Sequence, residues 1–82
     1  MAVERYYVSM KIKIGIYEHF KEKRYRVLGV AKHSETLEDV VVYEALYKND
    51  LSKLWVRPVS LFVEKVEING KKVPRFKFVG KK

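Results

Sequence analysis

Tyr25-Arg26-Val27-Leu28-Gly29-Val30-Ala31-Lys32-His33-Ser34-Glu35-Thr36 is the stretch that decides how this chain is read. It opens as a β-branched, apolar run with apolar side chains at odd and even positions alike. A strand of that kind is covered on both faces and belongs in the middle of a sheet. Gly29 inside it signals a bend or bulge, which helps a small sheet to curl. The run then stops abruptly in four residues that donate, accept or titrate, so the strand has the form of a scaffold presenting a polar cluster at its end.

Working outward, Arg5 to Ile14 alternates: Val8, Met10, Ile12 and Ile14 face one way, Ser9, Lys11 and Lys13 the other. Period two with one polar face predicts a half-buried strand. Gly15 ends it, Ile16 to Phe20 forms a second short extended piece, and Lys21 to Arg24 is a charged turn. C-terminal to the central run, His33 to Asp39 is a polar loop with room for one helical turn from Ser34. Val40 to Tyr47 returns to strand because its β-branched and aromatic residues suit a pleated surface. Lys48 to Lys53 is polar loop, and Leu54 to Arg57 is a short strand stopped by Pro58, which has no N–H for a central ladder. Val59 to Phe62 leaves space for a single helical turn before Val63 to Ile68. Asn69-Gly70 predicts a two-residue type I′ hairpin, with Val73 to Val79 pairing back. Phe76 and Phe78 then share one face of that strand, and Arg75 and Lys77 the other.

Five or six short strands with turns every ~8–12 residues predict an all-β fold, a small antiparallel SH3-like barrel with at most one or two short helical turns. Eighty-two residues make one domain, with an extra N-terminal strand over 5–14 and a basic C-terminal tail. Cysteine is absent, which excludes disulfides and thiolate chemistry. No charge-free apolar run approaches the ~20 residues of a membrane span and no signal-peptide core follows Met1, so a soluble cytoplasmic protein is expected. The net charge is +8. Its excess gathers in Lys71, Lys72, Arg75, Lys77, Lys81 and Lys82, a stretch without acidic residues. Such a segment either attracts nucleic acid or solubilises the fold.

Several strings resemble a known family, the domain-of-unknown-function family 1653. They are Gly15-Ile-Tyr-Glu-His-Phe-Lys21, Tyr25 to Thr36, Val42-Tyr-Glu-Ala-Leu-Tyr47, Leu54-Trp-Val-Arg-Pro58, Phe62 and Val73-Pro-Arg-Phe76. The resemblance spans about residues 15–78. Glu22 departs from the family pattern, which usually has Gly after the Lys. The family brings no established activity, so the resemblance implies a single domain and singles out positions without supplying a reaction.

Three sets of residues are candidates for function. His33, Ser34, Glu35 and Thr36 form a polar clamp if Glu35 orients the imidazole, or an ordinary capped turn if the hydroxyls serve the backbone. Trp55 and Arg57, two apart in a strand, share a face. There they stack on a planar ring and hold an anion, or they are a core Trp and its cover. Tyr43 adds a hydroxyl, and a pocket is expected where Arg57 and Tyr43 converge with His33 or Glu35 at one end of the barrel. His19 and His33 are the only histidines, and with Glu18 or Glu35 they make at most a makeshift site, so no metal or cofactor is expected. The serines lack a nucleophile-elbow context.

The function expected is a non-enzymatic binding module for a small polar ligand or peptide, with His33, Ser34, Glu35, Thr36, Tyr43, Trp55 and Arg57 at its pocket. The alternatives are sequence-nonspecific nucleic-acid binding through the basic segment, and a small hydrolase or lyase using His33 and Glu35. No membrane partner is expected, and the alternating N-terminal strand leaves monomer and homodimer equally open.

Overall fold

The structure, a computed structural model, describes residues 12–81. Seven strands and one helical turn follow in order: β1 (Gly15–His19), β2 (Arg24–Lys32), β3 (Asp39–Ala45), β4 (Leu54–Pro58), α1 (Val59–Phe62), β5 (Lys65–Ile68), β6 (Lys71–Pro74) and β7 (Phe76–Gly80). The fold is all-β, with antiparallel pairing throughout. Five strands form one sheet in the order β4-β3-β2-β1-β7, and β5 and β6 form a separate hairpin. β2, the strand read as central, is the middle strand of the five.

Why β2 shows apolar residues at both parities is visible in its register with β3. Val27 stands opposite Tyr43 and Gly29 opposite Val42, so Leu28 is an extra, bulged residue. The bulge resets the alternation, and Val27 and Val30 both turn to the inner face while Leu28 is exposed. That inner face carries the core. Tyr17, Val27, Val41, Tyr43 and Phe76 are buried there, and α1 adds Val59 and Phe62. The Phe62 ring stacks on Phe76 with centroids 4.3 Å apart and meets Tyr17 edge-on at 5.3 Å.

Laid flat, a five-stranded sheet would hold its two edge strands about 19 Å apart. Instead the Arg57 guanidinium of β4 lies 5.4 Å from the Phe76 ring of β7. The sheet therefore curls strongly. Among the described residues, however, no ladder joins β4 to β7, and the sheet is not a closed barrel. Side chains, led by Phe62, Phe76 and Arg57, occupy the gap.

Left-handed backbone marks three of the tight places. Asn69 and Gly70 have φ of 53° and 80°, as the expected type I′ hairpin requires. Glu22 has φ of 74° in a turn closed by the Glu22 N–H donating to the His19 carbonyl at 2.6 Å. A side chain is disfavoured in that conformation, which would suit the Gly that the family resemblance leads one to expect here.

Other expectations are corrected. Val73 to Val79 is not one strand: it breaks at Arg75, whose N–H donates to the Glu64 carbonyl and whose carbonyl accepts from Phe20, both at 3.0 Å. Pro74 cannot donate, so the chain changes sheets there, β6 pairing in the hairpin and β7 with β1. Gly15 begins a strand rather than ending one. A Cβ on it would lie 2.5 Å from the Gly80 carbonyl oxygen across the β1–β7 ladder. β3 ends at Ala45, two residues short of the expected Tyr47. The predicted strand over 5–14 lies outside the described residues up to Lys11, and Ile12, Lys13 and Ile14 are not in strand. Ile12 is buried and Ile14 exposed, so the two do not share a face.

Candidate functional site

Register decides which polar side chains meet. In the β3–β4 ladder Tyr43 stands opposite Trp55, and Val41 opposite Arg57. Since alternate residues share a face, Tyr43, Trp55 and Arg57 all project inward. From the other side, His19 stands opposite Phe76, and Tyr17 opposite both Tyr25 and Phe78, which brings His19 and Tyr25 onto the same face.

The result is an aromatic wall around one cation. Tyr25 lies 5.2 Å from Tyr43 and 5.7 Å from Phe76, and Tyr43 lies 5.7 Å from Phe76, all centroid to centroid. His19 adds its ring at 4.8 Å from Phe76. Half-buried Arg57 lies over Phe76, and its Nε donates to the Tyr43 hydroxyl over a long 3.4 Å. Tyr25 and Tyr47 join hydroxyls at 2.8 Å, and Lys23 covers the outer ring, its Nζ 4.8 Å from the Tyr47 centroid. Trp55 packs against the core, yet its indole Nε1 is buried without an acceptor among the described residues.

Electrostatics follow from this packing. Burial lowers the pKa of His19 from its ordinary 6.5, and the positive charges of Arg75, Arg57 and Lys21 lower it further. Its Nδ1 accepts the Lys21 N–H at 3.2 Å, so the neutral imidazole carries its proton on Nε2. Burial raises the Tyr25 pKa, and the hydrogen bond to Tyr47 raises it again. Tyr17 is likewise raised by burial, against the opposing effect of its hydrogen bond to the Lys13 backbone.

The polar cluster at the end of β2 is arranged differently. His33 Nδ1 accepts the N–H groups of Glu35 at 3.1 Å and Thr36 at 3.3 Å. The His33 backbone closes the same loop, its N–H donating to Glu38 and its carbonyl accepting from Leu37. Thr36 Oγ1 accepts the Glu38 N–H, and Lys32 and Asp39 clasp the base of the loop at 2.9 Å. Ser34, Glu35 and Thr36 are exposed. The hydrogen bonds of the His33 ring stay inside its own turn, and among the described residues none joins His33 or Glu35 to Tyr43, Trp55 or Arg57.

The basic segment is interleaved with acids. Lys72 stands opposite Glu67, Lys77 opposite Glu18, and Arg75 pairs with Glu64 at 3.3 Å. Lys71 and Lys81 are exposed, and Lys82 lies outside the described residues. His19 also lines a surface cleft of ≈ 280 Å³ with Phe20, Ile68, Val73, Pro74 and Lys77. No group of three or more His, Asp or Glu gathers as a metal site among the described residues. Nor is any described helix long and apolar enough to cross a membrane.

Residues 15–78 match the model of a family described as protein of unknown function, DUF1653. The chain belongs to the DUF1653 family. It is similar to a solved structure, the crystal structure of a DUF1653 protein from Bordetella bronchiseptica. The two share 36% identity at a TM-score of 0.82, over 85% of this chain and 90% of that one. A search of curated proteins finds no match.

His19, Tyr25, Tyr47 and Phe76 are members of this DUF1653 face that the expected pocket did not include. The alternation Gly15, Tyr17, His19 was available as a signal for His19. What it lacked was the register that places β1 beside β7.

Proposed function

We propose that this DUF1653 domain is a non-enzymatic binding module whose ligand sits on the inner face, at Tyr43, Trp55 and Arg57. The observation that carries this reading is the state of Arg57. A half-buried guanidinium is costly to desolvate, and natural folds normally give it a carboxylate. Among the described residues Arg57 has an aromatic wall and a tyrosine hydroxyl, but no acid. A charge held that way is available to a partner from outside. The strongly curled sheet, plugged by one helical turn, is in keeping with an SH3-like half barrel that displays its interior at one end.

In this reading the His33, Ser34, Glu35 and Thr36 turn is scaffold, because its imidazole acceptor is already used. That use also disfavours His33 as the base of a hydrolase or lyase. Nucleic-acid binding through Lys71, Lys72, Arg75, Lys77, Lys81 and Lys82 has less support, since three of the six stand beside a glutamate.

Backbone amide shift mapping with a small-fragment library tests the assignment. Perturbations should cluster on Tyr43, Trp55, Arg57 and Tyr25. A cluster centred on Ser34 to Thr36 or on Lys71 to Lys81 would move the site.

A further inference from the structure

We propose that the Arg57 face recognises an oxyanion carried on a planar ring: a carboxylate or phosphate held by the Arg57 fork, with its ring against the aromatic wall. This rests on the binding-module reading above and names the class of ligand.

The arginines of the fold make the case by contrast. Arg24 lies 3.6 Å from Glu18, Arg26 lies 2.8 Å from Glu44, and Arg75 lies 3.3 Å from Glu64. Of the four arginines among the described residues, Arg57 alone pairs with no described glutamate or aspartate. Its only hydrogen bond among those residues runs from Nε to Tyr43, which leaves both terminal nitrogens of the guanidinium unused. That pair of nitrogens is the planar fork that matches carboxylate and phosphate oxygens.

Neighbouring groups reinforce the sign. Because the Tyr43 hydroxyl oxygen accepts from Arg57, its own O–H is free to donate. Arg57, Arg75 and Lys21 all act on His19 as positive charges; Glu64 pairs with Arg75 and Glu18 with Arg24, while Arg57 is left to the aromatic face. The groups left over around Arg57 are all donors. A neutral carbonyl can accept from some of them, but an oxyanion also answers the guanidinium charge and matches both arms of its fork.

The wall supplies the second half of the recognition. Tyr25, half-buried on the same face, is the ring of this wall that a flat ligand reaches; buried Tyr43 and Phe76 stand behind it and hold it steeply inclined at 5.2 and 5.7 Å. The hydroxyls of Tyr25 and Tyr47 are engaged with each other, so the wall adds contact area without competing for the anion.

Trp55, the only tryptophan, lies two residues from Arg57 on the same face and reports on the site by its fluorescence. The full chain is titrated with benzoate, phenyl phosphate and benzamide, at constant ionic strength, beside Arg57→Met, Arg57→Lys and a His33→Ala control. Benzoate or phenyl phosphate should saturate with a Kd on the order of 1 mM, as suits a ligand of about ten atoms, and which of them binds tells carboxylate from phosphate. Benzamide should bind at least tenfold more weakly. Arg57→Met should weaken the anion tenfold or more, and His33→Ala should leave it unchanged. If Arg57→Met does not fold, Arg57→Lys is read instead, since it keeps the charge and loses the fork; its affinity should fall severalfold. Benzamide binding as tightly as benzoate would overturn the oxyanion inference and leave the binding site standing. Silence from every probe would bring down both.

Discussion

Two polar groups of this small domain invite comparison: the His33 to Thr36 turn and the Arg57 face. In the sequence the first is conspicuous, four polar residues in a row, and the second is scattered over strands far apart in the chain. In the fold their positions reverse. The turn lies on the surface, where backbone N–H groups need acceptors, and the His33 ring supplies one. Side chains within a tight loop find their own backbone first, because it is the nearest partner and costs little ordering. Arg57 extends from a strand into an aromatic interior, where a tyrosine hydroxyl is its hydrogen-bond partner and no described acid pairs with it. A contiguous polar string is therefore a weaker sign of a site than a polar residue alternating with aromatics.

The largest test strikes the floor of the Arg57 face. Phe76 is buried, stacks on Phe62 and lies beneath the guanidinium. Phe76→Ala should cost about 3–5 kcal/mol by loss of burial and the cavity left behind. Urea denaturation followed by Trp55 fluorescence measures it. A cost below about 1.5 kcal/mol would mean that the inner face is not the centre of the core.

On the turn side, backbone geometry rather than side-chain chemistry should dominate. Gly70→Val forces a β-branched residue to a φ of 80° and should destabilise by about 1–3 kcal/mol. His33→Ala removes one acceptor from two exposed N–H groups that water can then serve, so about 0.5–1 kcal/mol is expected. Were His33→Ala the costlier of the two, the turn would hold more than its hydrogen bonds show.

Glu22 sharpens the point with the opposite sign. Its φ of 74° is a conformation that glycine adopts freely, so Glu22→Gly should stabilise by up to about 1 kcal/mol, less the added freedom of the unfolded chain. A lower denaturation midpoint in the variant would show that the Glu22 side chain makes a compensating contact.

How much of this was legible follows from what each element needs. The Asn69-Gly70 hairpin was legible because its signal is local: two residues fix the dihedrals. β2 was placed in the centre correctly, although part of its two-faced pattern comes from the Leu28 bulge and not from burial on both sides. The break at Arg75 was not legible, since it depends on Glu64 and Phe20 reaching that backbone from distant places in the chain. Tyr43, Trp55 and Arg57 could be nominated as residues, but their meeting with His19, Tyr25 and Phe76 depends on strand order, to which alternation is blind.

The finest distinction between the two regions is electrostatic, and His19 reads it. Burial first, then Arg75, Arg57 and Lys21, lower its pKa below 6.5 in the folded protein, while the unfolded chain keeps the ordinary value. Between the folded and unfolded values the unfolded state binds more proton. Stability from this group therefore rises with pH through that window, and falls as the solution is acidified from about pH 7 through 6.5. Below the folded value both states are protonated and the slope from His19 ends. Since the ring is only half-buried, the effect is the smallest proposed here. It is isolated by comparing denaturation midpoints of wild type and His19→Gln from pH 7 down to 5, because carboxylates common to both chains cancel in the difference. Wild type should lose more stability than His19→Gln on acidification. Arg57→Met should shrink that loss, since removing one neighbouring positive charge lets His19 protonate more readily in the fold. If instead wild type and His19→Gln run parallel across the range, His19 does not feel the Arg57 charge, and the inner face lacks the concentrated positive potential inferred for it.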